Sequence, residues 1–323
     1  MNTPVWKKFN LLNAFLIISI LLSLTVPNTS AAEDKPIIVC TTDVTGSIVR
    51  AFLGDSVEVI VLCHPGLCPA DFDMKPSDIS AVSNAKILFK QDIPGEFWLK
   101  GLVEASGNNE LIQVPVPGAY NTPEGAKKYV SRIAGNLTNI LGTDLSEKED
   151  ELIKELDDVS EWMMVQAESI GASNIKVICM SWLKTFLDSI GFQVVAVYNP
   201  PETLSAGDVT GLVDTGKSQG VALIVDNLQI DVEFGKGVAD QMGAEHVILT
   251  NFPGAVPRTG SLAEMFRYNA EQLFEATELW RYSLGLEDER KSLINQLTLY
   301  QTLTALLAVI AAVEAVIIYT RRN

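Results

Sequence analysis

The sequence predicts an α/β protein built from two lobes, each an open parallel sheet with helices on both faces. The first observation is a set of short apolar runs rich in valine and isoleucine, as strands covered on both faces require. The second is that amphipathic segments lie between most of these runs, so that strand and helix alternate. Four runs precede residue 120 and four follow residue 174, which predicts two lobes of similar size. The runs are Ile37–Cys40, Val57–Cys63, Lys86–Phe89, Leu111–Val116, Ile175–Met180, Gln193–Tyr198, Val221–Val225 and His246–Leu249.

Two long helices are predicted between the lobes. The first is Pro123–Leu141, with its proline in the first turn. The second begins near Ser146, where Ser146 and Glu149 fit a capping box, and apolar residues then recur at helical spacing to about Ile170. We interpret this segment as a rigid spine helix that limits hinge closure between the lobes. Further amphipathic helices are predicted at Gly46–Phe52, Pro76–Ser83, Ser181–Ile190, Ser205–Ser218, Val232–Met242 and Leu262–Tyr282.

An apolar stretch lies near each end of the chain. Leu11–Val26 follows two lysines and precedes small residues, a pattern typical of a secretory signal peptide. Thr302–Tyr319 stops at an arginine pair and is long enough to cross a bilayer, although a buried core helix is the alternative. We therefore predict an extracytoplasmic domain on a single-pass C-terminal membrane anchor, an arrangement that suits an archaeal surface. The predicted parts are 1–32 (signal peptide), 33–145 (N-terminal lobe), 146–172 (spine helix), 173–283 (C-terminal lobe), 284–300 (stalk) and 301–320 (transmembrane anchor).

Composition excludes several functions. The formal net charge of −16 disfavours nucleic acid as a partner. No nucleophile elbow, phosphate-binding loop or Cys-x-x-Cys motif occurs, so an enzyme is not predicted. Cys63 and Cys68 flank a turn, and their spacing permits a disulfide without requiring one.

Ligands of open parallel sheets bind beyond the carboxyl ends of the strands, and two facing lobes would bring those ends into one cleft. The acidic residues there would attract a cationic or hydroxyl-rich ligand, or alternatively cap helices. Trp182 would stack on an organic ligand or pack in the core. The cleft candidates are Asp43, His64, Cys68, Ala70, Asp71, Tyr120, Met180, Trp182, Asp226 and Asn251.

One segment carries a family resemblance. Val57–Leu62, followed by Pro65-Gly66 and Pro69–Ile79, resembles the zinc/manganese-type, TroA-like (cluster A-I) periplasmic solute-binding proteins of metal ABC transporters. Pro123–Lys128 and the long helix after it fit the same pattern, and the similarity covers about residues 36–280. The resemblance implies a class III solute-binding protein: two lobes on a rigid spine, a zinc or manganese ion between them, and an ABC permease as partner.

The chain departs from the family at the metal ligands. The resemblance places the two expected histidines on Ala70 and, within about two residues, on Gly118. The third ligand, His or Glu, falls on Met180, and the expected aspartate falls on Asn251. None of these is a usual zinc or manganese ligand, so no metal is expected at the family positions.

The alternatives concern the ligand and the role. Met180, Cys68 and His64 are soft or borderline donors that would select Cu(I), unless Met180 is a core residue. No cofactor is certain. We expect a membrane-anchored solute-binding protein of a metal-type ABC importer with a non-standard site. The alternatives are a surface sensor or adhesion module on the same fold, and a binder of an organic or chelated-metal ligand.

Overall fold

The structure is a computed structural model that describes residues 35–322. The predicted signal peptide, 1–32, lies outside the described residues. The chain from Ile37 onward forms one compact unit containing two four-stranded sheets. All the strand pairs in both sheets are parallel, which confirms the predicted fold class.

The two sheets share one topology. The N-terminal sheet has the order β2-β1-β3-β4 and the C-terminal sheet β6-β5-β7-β8. All eight predicted strands are present, each within two residues of its predicted ends, because runs of valine and isoleucine suit strands buried on both faces. The strands are β1 Ile37–Cys40, β2 Glu58–Val61, β3 Ala85–Lys90, β4 Ile112–Pro115, β5 Lys176–Met180, β6 Gln193–Tyr198, β7 Leu223–Asn227 and β8 Glu245–Leu249.

Helices cover the faces of both sheets. The sequence prediction missed one of them, Leu99–Ser106, which is short and buries only Leu99, Leu102 and Ser106. Gly107 ends this helix with a φ of 63°, a left-handed conformation that favours glycine. The helices are α1 Asp43–Leu53, α2 Pro76–Asn84, α3 Leu99–Ser106, α4 Pro123–Leu141, α5 Ser146–Ser169, α6 Lys184–Ser189, α7 Ala206–Gln219, α8 Val232–Met242 and α9 Leu262–Arg322.

The spine helix is α5, and it packs against α4 of the N-terminal lobe and against α9. Its predicted capping box is wrong: Ser146 is the first helical residue, and Leu145 occupies the cap position without a side-chain bond. Asp144 Oδ1 instead accepts a hydrogen bond from the Ser146 backbone N–H at 3.0 Å. Asp144 therefore supplies the carboxylate that stabilises the helix start, and hydrogen bonding to Ser146 lowers the pKa of this carboxylate.

One hydrophobic core joins the lobes. It runs from the N-terminal sheet through α4 and α5 to the C-terminal sheet and the first turns of α9. Leu156, Val159, Met163 and Ala167 form the buried face of α5. Because this core is continuous across the spine, the two lobes are held in a fixed arrangement around the space between them.

The last helix, α9, continues without a break from the C-terminal lobe to residue 322. The predicted boundaries between lobe, stalk and membrane segment therefore fall inside a single helix. Its first turns are fixed to the spine, since the Arg267 guanidinium lies 4.1 Å from the Trp162 ring centroid and Arg281 donates to the Ile170 carbonyl oxygen. Residues 281–321 are exposed along the whole remaining length. Within residues 35–322, α9 is the one helix long and apolar enough to cross a membrane.

Candidate functional site

A cleft of about 840 Å³ lies between the carboxyl ends of the two sheets. Loops that follow the strands of both lobes line it, as the parallel topology predicts. The lining residues are Cys68, Pro69, Ala70, Asp71, Ile93, Pro94, Gly95, Phe97, Gly118, Ala119, Tyr120, Asn121, Trp182, Pro200, Glu202, Asn227, Gln229, Ile230, Asp231, Asn251 and Phe252.

Six of the ten predicted cleft residues line this cleft. Three of them come from the N-terminal loop after β2, and the other three come from the loops after β4, β5 and β8. The parallel sheets bring these loops together although up to about 180 residues separate them in the chain. The six residues are Cys68, Ala70, Asp71, Tyr120, Trp182 and Asn251.

The other four predicted residues lie elsewhere. Asp43 is 7% exposed and forms an ion pair with Arg50, so it neither lines the cleft nor caps a helix. His64 is exposed, and its Nδ1 accepts a hydrogen bond from the Gly66 N–H at 3.1 Å within the same turn. Met180 and Asp226 are both fully buried.

Asp226 belongs to a buried polar network inside the C-terminal lobe. Its Oδ1 accepts a hydrogen bond from the Tyr198 hydroxyl, and its Oδ2 lies 2.7 Å from His246 Nε2. Burial and the neighbouring carboxylate raise the pKa of Tyr198 well above its ordinary value. A Cβ at Gly235 would collide with the same carboxylate, so glycine is needed for the close approach of α8. Asp226 therefore has partners within the lobe and is unsuited to a ligand-binding role.

The soft-metal set of Met180, Cys68 and His64 does not converge. Of the three, only Cys68 lines the cleft. Met180 Sδ accepts a hydrogen bond from the Trp182 N–H at 3.3 Å inside the core. Among the described residues, no group of three or more His, Cys, Asp or Glu side chains is arranged to hold a metal ion.

The four cysteines are free thiols in the structure, and three of them are buried. Cys63 Sγ lies 3.7 Å from the His64 carbonyl oxygen instead of being bonded to Cys68. Burial raises the pKa of Cys63 to about 11, and burial also raises that of Cys68. The Cys63–Cys68 disulfide is therefore not formed here and stays a prediction for oxidising conditions.

The positions at which the resemblance expects metal ligands can now be located. Ala70, Gly118 and Asn251 line the cleft, whereas Met180 is buried beneath it. Gly118 has a φ of 122°, a conformation that side-chain-bearing residues rarely adopt. A histidine at this position would be strained.

Sequence reasoning missed two amides of the cleft, Gln229 and Asn227. Gln229 is 5% exposed, and its Nε2 donates to the Pro65 carbonyl oxygen and to Thr250 Oγ1, both at 2.9 Å. Its Oε1 accepts from the Asn251 N–H at 3.2 Å. Because Pro65 belongs to the N-terminal lobe and the other two partners to the C-terminal lobe, the Gln229 side chain links the two lobes. Both amides follow the run Val221–Val225. Their position just after a predicted strand was the only sequence signal that could have identified them as cleft residues.

Aromatic rings form much of the remaining lining. Tyr120 and Phe252 come from different lobes and stack with centroids 6.4 Å apart and an interplanar angle of 14°. Trp182 is 42% exposed and Phe97 is 72% exposed. Asn121 Nδ2 donates to the Trp182 carbonyl oxygen at 2.8 Å, which fixes the Trp182 loop against the opposite lobe.

The charge of the lining is negative. Asp71, Glu202 and Asp231 contribute carboxylates. Among the described lining residues, none is lysine, arginine or histidine. The Asp231 carboxylate accepts from the Glu233 N–H at 3.0 Å as the cap of α8, which leaves Asp71 and Glu202 as the two more available acids.

The comparisons with known proteins agree with this architecture. Residues 38–276 match the family model described as ZnuA, the zinc-uptake complex component A, periplasmic. The manganese-binding lipoprotein MntA of Halalkalibacterium halodurans is 23% identical over 249 residues, which cover 71% of this chain and 83% of that protein. The iron ABC transporter substrate-binding lipoprotein MtsA of Streptococcus pyogenes is 29% identical over 104 residues, or 30% of this chain and 34% of that protein.

Solved structures show the same fold. A crystal structure of ZnuA superposes with a TM-score of 0.63 at 18% identity, covering 76% of this chain and all of that chain. A manganese-bound periplasmic metal-binding protein from Candidatus Liberibacter asiaticus gives a TM-score of 0.64 at 13% identity, covering 75% of this chain and all of that chain. The family consists of substrate-binding proteins of ABC transporters and not of enzymes. This chain belongs to the ZnuA family of periplasmic solute-binding proteins of metal ABC transporters.

Proposed function

We propose that this protein is a membrane-anchored, extracytoplasmic solute-binding protein of a metal-type ABC importer, with a cleft that has lost the family's zinc and manganese ligands. The observation that carries the proposal is the identity of the residues at the expected ligand positions. Ala70, Gly118 and Asn251 face the cleft, and an alanine methyl, a glycine and an amide offer no imidazole or carboxylate.

The backbone supports the same proposal. Gly118 has a positive φ, and Met180 is fully buried with its sulfur in a hydrogen bond. The backbone at Gly118 and the burial of Met180 therefore disfavour a metal-ligating side chain at these two positions. We infer that the fold here serves a ligand other than a bare zinc or manganese ion.

The helix α9 supports the proposed anchor. The segment between Ser283 and Thr302 is exposed and helical, and at 1.5 Å per residue it spans about 30 Å. The apolar segment Thr302–Tyr319 follows directly and spans roughly 27 Å, close to the thickness of a hydrocarbon core. Because the helix has no break, it would hold the lobes at a fixed height and orientation above the membrane, facing an ABC permease.

Metal titration of the full chain tests the ligand part of this proposal. The purified full-length protein in lipid nanodiscs is titrated with Zn²⁺ and Mn²⁺ by calorimetry, and its metal content is measured by mass spectrometry. We expect no stoichiometric binding of either ion. Binding of one zinc or manganese ion per chain that is lost in Asp71→Asn would contradict the proposal.

Fractionation tests the anchor. The full chain should remain in the membrane pellet after alkaline carbonate extraction, whereas a chain ending at Gly285 should be released. Release of the full chain by carbonate would contradict the anchor without affecting the ligand part of the proposal.

A further inference from the structure

The size of the cleft is the first step toward its ligand. Its volume is about 840 Å³, within the range of roughly 300–1,000 Å³ that pockets for organic molecules occupy. A dehydrated metal ion fills only a small part of such a space. The cleft therefore suits a ligand with an organic body, bound directly and not through a metal coordination shell.

The walls supply aromatic faces. Trp182 and Phe97 line the cleft, and these two residues are 42% and 72% exposed. Tyr120 and Phe252 stack on each other across the lobes and add a second aromatic surface. Aromatic faces attract cations through the negative potential of the ring as well as apolar groups through burial.

The charges point to the sign of the ligand. Asp71 belongs to the N-terminal lobe and Glu202 to the C-terminal lobe, and both residues line the cleft together with Cys68. The part of the lining that the structure describes has no basic side chain to neutralise these two acids. An anionic ligand would be repelled, whereas a cation would gain two carboxylate partners.

An unpartnered buried amide indicates a further group on the ligand. Asn227 lines the cleft and is fully buried. Its Oδ1 accepts from the Gln229 N–H at 2.9 Å, but its Nδ2 has no hydrogen-bond partner among residues 35–322. Leaving a buried donor unpaired is unfavourable, so an acceptor oxygen on a bound ligand would stabilise this position.

We propose that the cleft binds an organic cation that carries an acceptor oxygen, with its charged group between Asp71, Glu202 and the Trp182 face, and its oxygen at Asn227 Nδ2. This assignment rests on the proposed function, since it assumes that the cleft is a ligand site without a bare metal ion. It also accounts for the loss of the family's metal ligands: once the cargo has an organic body, aromatic and amide contacts replace coordination.

Calorimetry on the full chain in nanodiscs tests the assignment with defined probes. The cations are choline, acetylcholine and thiamine, each of which carries an oxygen, and the neutral control is 3,3-dimethylbutan-1-ol, which has the shape of choline without its charge. We expect at least one cation to bind with one site per chain and a Kd below about 1 mM, while the neutral control binds at least tenfold more weakly. Equal binding of choline and its neutral isostere, or no binding of any of the three cations, would overturn the assignment.

Variants locate the binding site. Trp182→Leu is expected to weaken cation binding by roughly five- to thirtyfold, as expected from loss of a partly desolvated cation–π contact. Asp71→Asn should weaken it by about three- to tenfold, and the control Asp73→Asn, an exposed acid outside the cleft lining, should leave it unchanged. Cation binding that is unaffected by both Trp182→Leu and Asp71→Asn would overturn the assignment.

The two proposals fail in different ways. If the cations do not bind and zinc and manganese do not bind either, the organic-cation assignment is wrong and the proposed loss of the metal site stands. If stoichiometric zinc or manganese binds in the cleft and is lost in Asp71→Asn, both proposals are wrong.

Discussion

Replacement of Gln229 by leucine should loosen the contact between the lobes. The side chain is 5% exposed and makes three hydrogen bonds: to the Pro65 carbonyl oxygen, to Thr250 Oγ1, and from the Asn251 N–H. The bond to Pro65 crosses from the C-terminal to the N-terminal lobe. At a net value of about 1 kcal/mol for each bond, Gln229→Leu should lower the free energy of unfolding by about 3 kcal/mol.

Differential scanning calorimetry of the full chain measures this effect. For a protein larger than 150 residues, 1 kcal/mol corresponds to roughly 2–4 °C, so the melting temperature should fall by about 6 °C or more. The matched control is Gln241→Leu, because Gln241 is exposed and its Nε2 donates only to the Gly237 carbonyl oxygen of its own helix. We expect the control to shift the transition by about 1 °C or less. Equal shifts in the two variants would refute the reasoning.

Three further predictions concern other parts of the molecule. Burial raises the pKa of Glu96 above its ordinary value of 4.5, so its contribution to stability is present below pH 4.5 and is lost as the pH rises through the raised pKa. Glu96→Gln should therefore remove this part of the pH dependence of the melting temperature, and an unchanged slope would contradict the prediction. Tyr198→Phe removes the hydrogen bond to the Asp226 carboxylate and should cost about 1.5–3 kcal/mol of stability in urea unfolding, whereas a loss below about 0.5 kcal/mol would be inconsistent with a buried network. The double substitution Ala70→His with Asn251→Asp should still fail to bind zinc with a Kd below about 1 μM in calorimetric titration, since two of the four expected ligand positions stay unfilled; tighter binding would refute the backbone argument.

The strands were predictable from apolar runs, and the two-lobed fold was predictable from the alternation of these runs with amphipathic segments. Continuous apolar runs such as Gln193–Tyr198 suit a strand that is covered on both faces, and this strand begins and ends at the predicted residues. The helices Pro123–Leu141 and Val232–Met242 also begin and end as predicted, because a glycine follows each of them, and a proline marks the start of the first and an aspartate cap the start of the second.

Local details at helix ends were less predictable. Ser146 and Glu149 fit the pattern of a capping box. In the structure, however, Leu145 is the cap residue, Ser146 is the first helical residue, and the Ser146 N–H donates to the Asp144 carboxylate. Sequence spacing gives the residues that are able to cap, but the φ and ψ angles decide which of them does so. The same limit applies to Asp43, which forms an ion pair with Arg50 instead of capping α1.

The candidate site was predictable in its position and only partly in its residues. The loops after the parallel strands form the cleft, and the predicted residues Ala70, Tyr120 and Asn251 line it. Side-chain direction was not available from the sequence: Asp226 and Asn227 are neighbours on β7, where successive side chains point to opposite faces. Asp226 therefore faces Tyr198 and His246 inside the lobe, and its unpredicted neighbour lines the cleft.

The central claim is that the cleft lacks the family's set of metal ligands, and anomalous diffraction tests it most directly. Crystals of the protein grown with excess Zn²⁺ and, separately, with excess Mn²⁺ would be measured at the absorption edge of each metal. We predict no anomalous peak in the cleft bounded by Ala70, Gly118 and Asn251. A strong peak there, coordinated by protein side chains from both lobes, would contradict the claim.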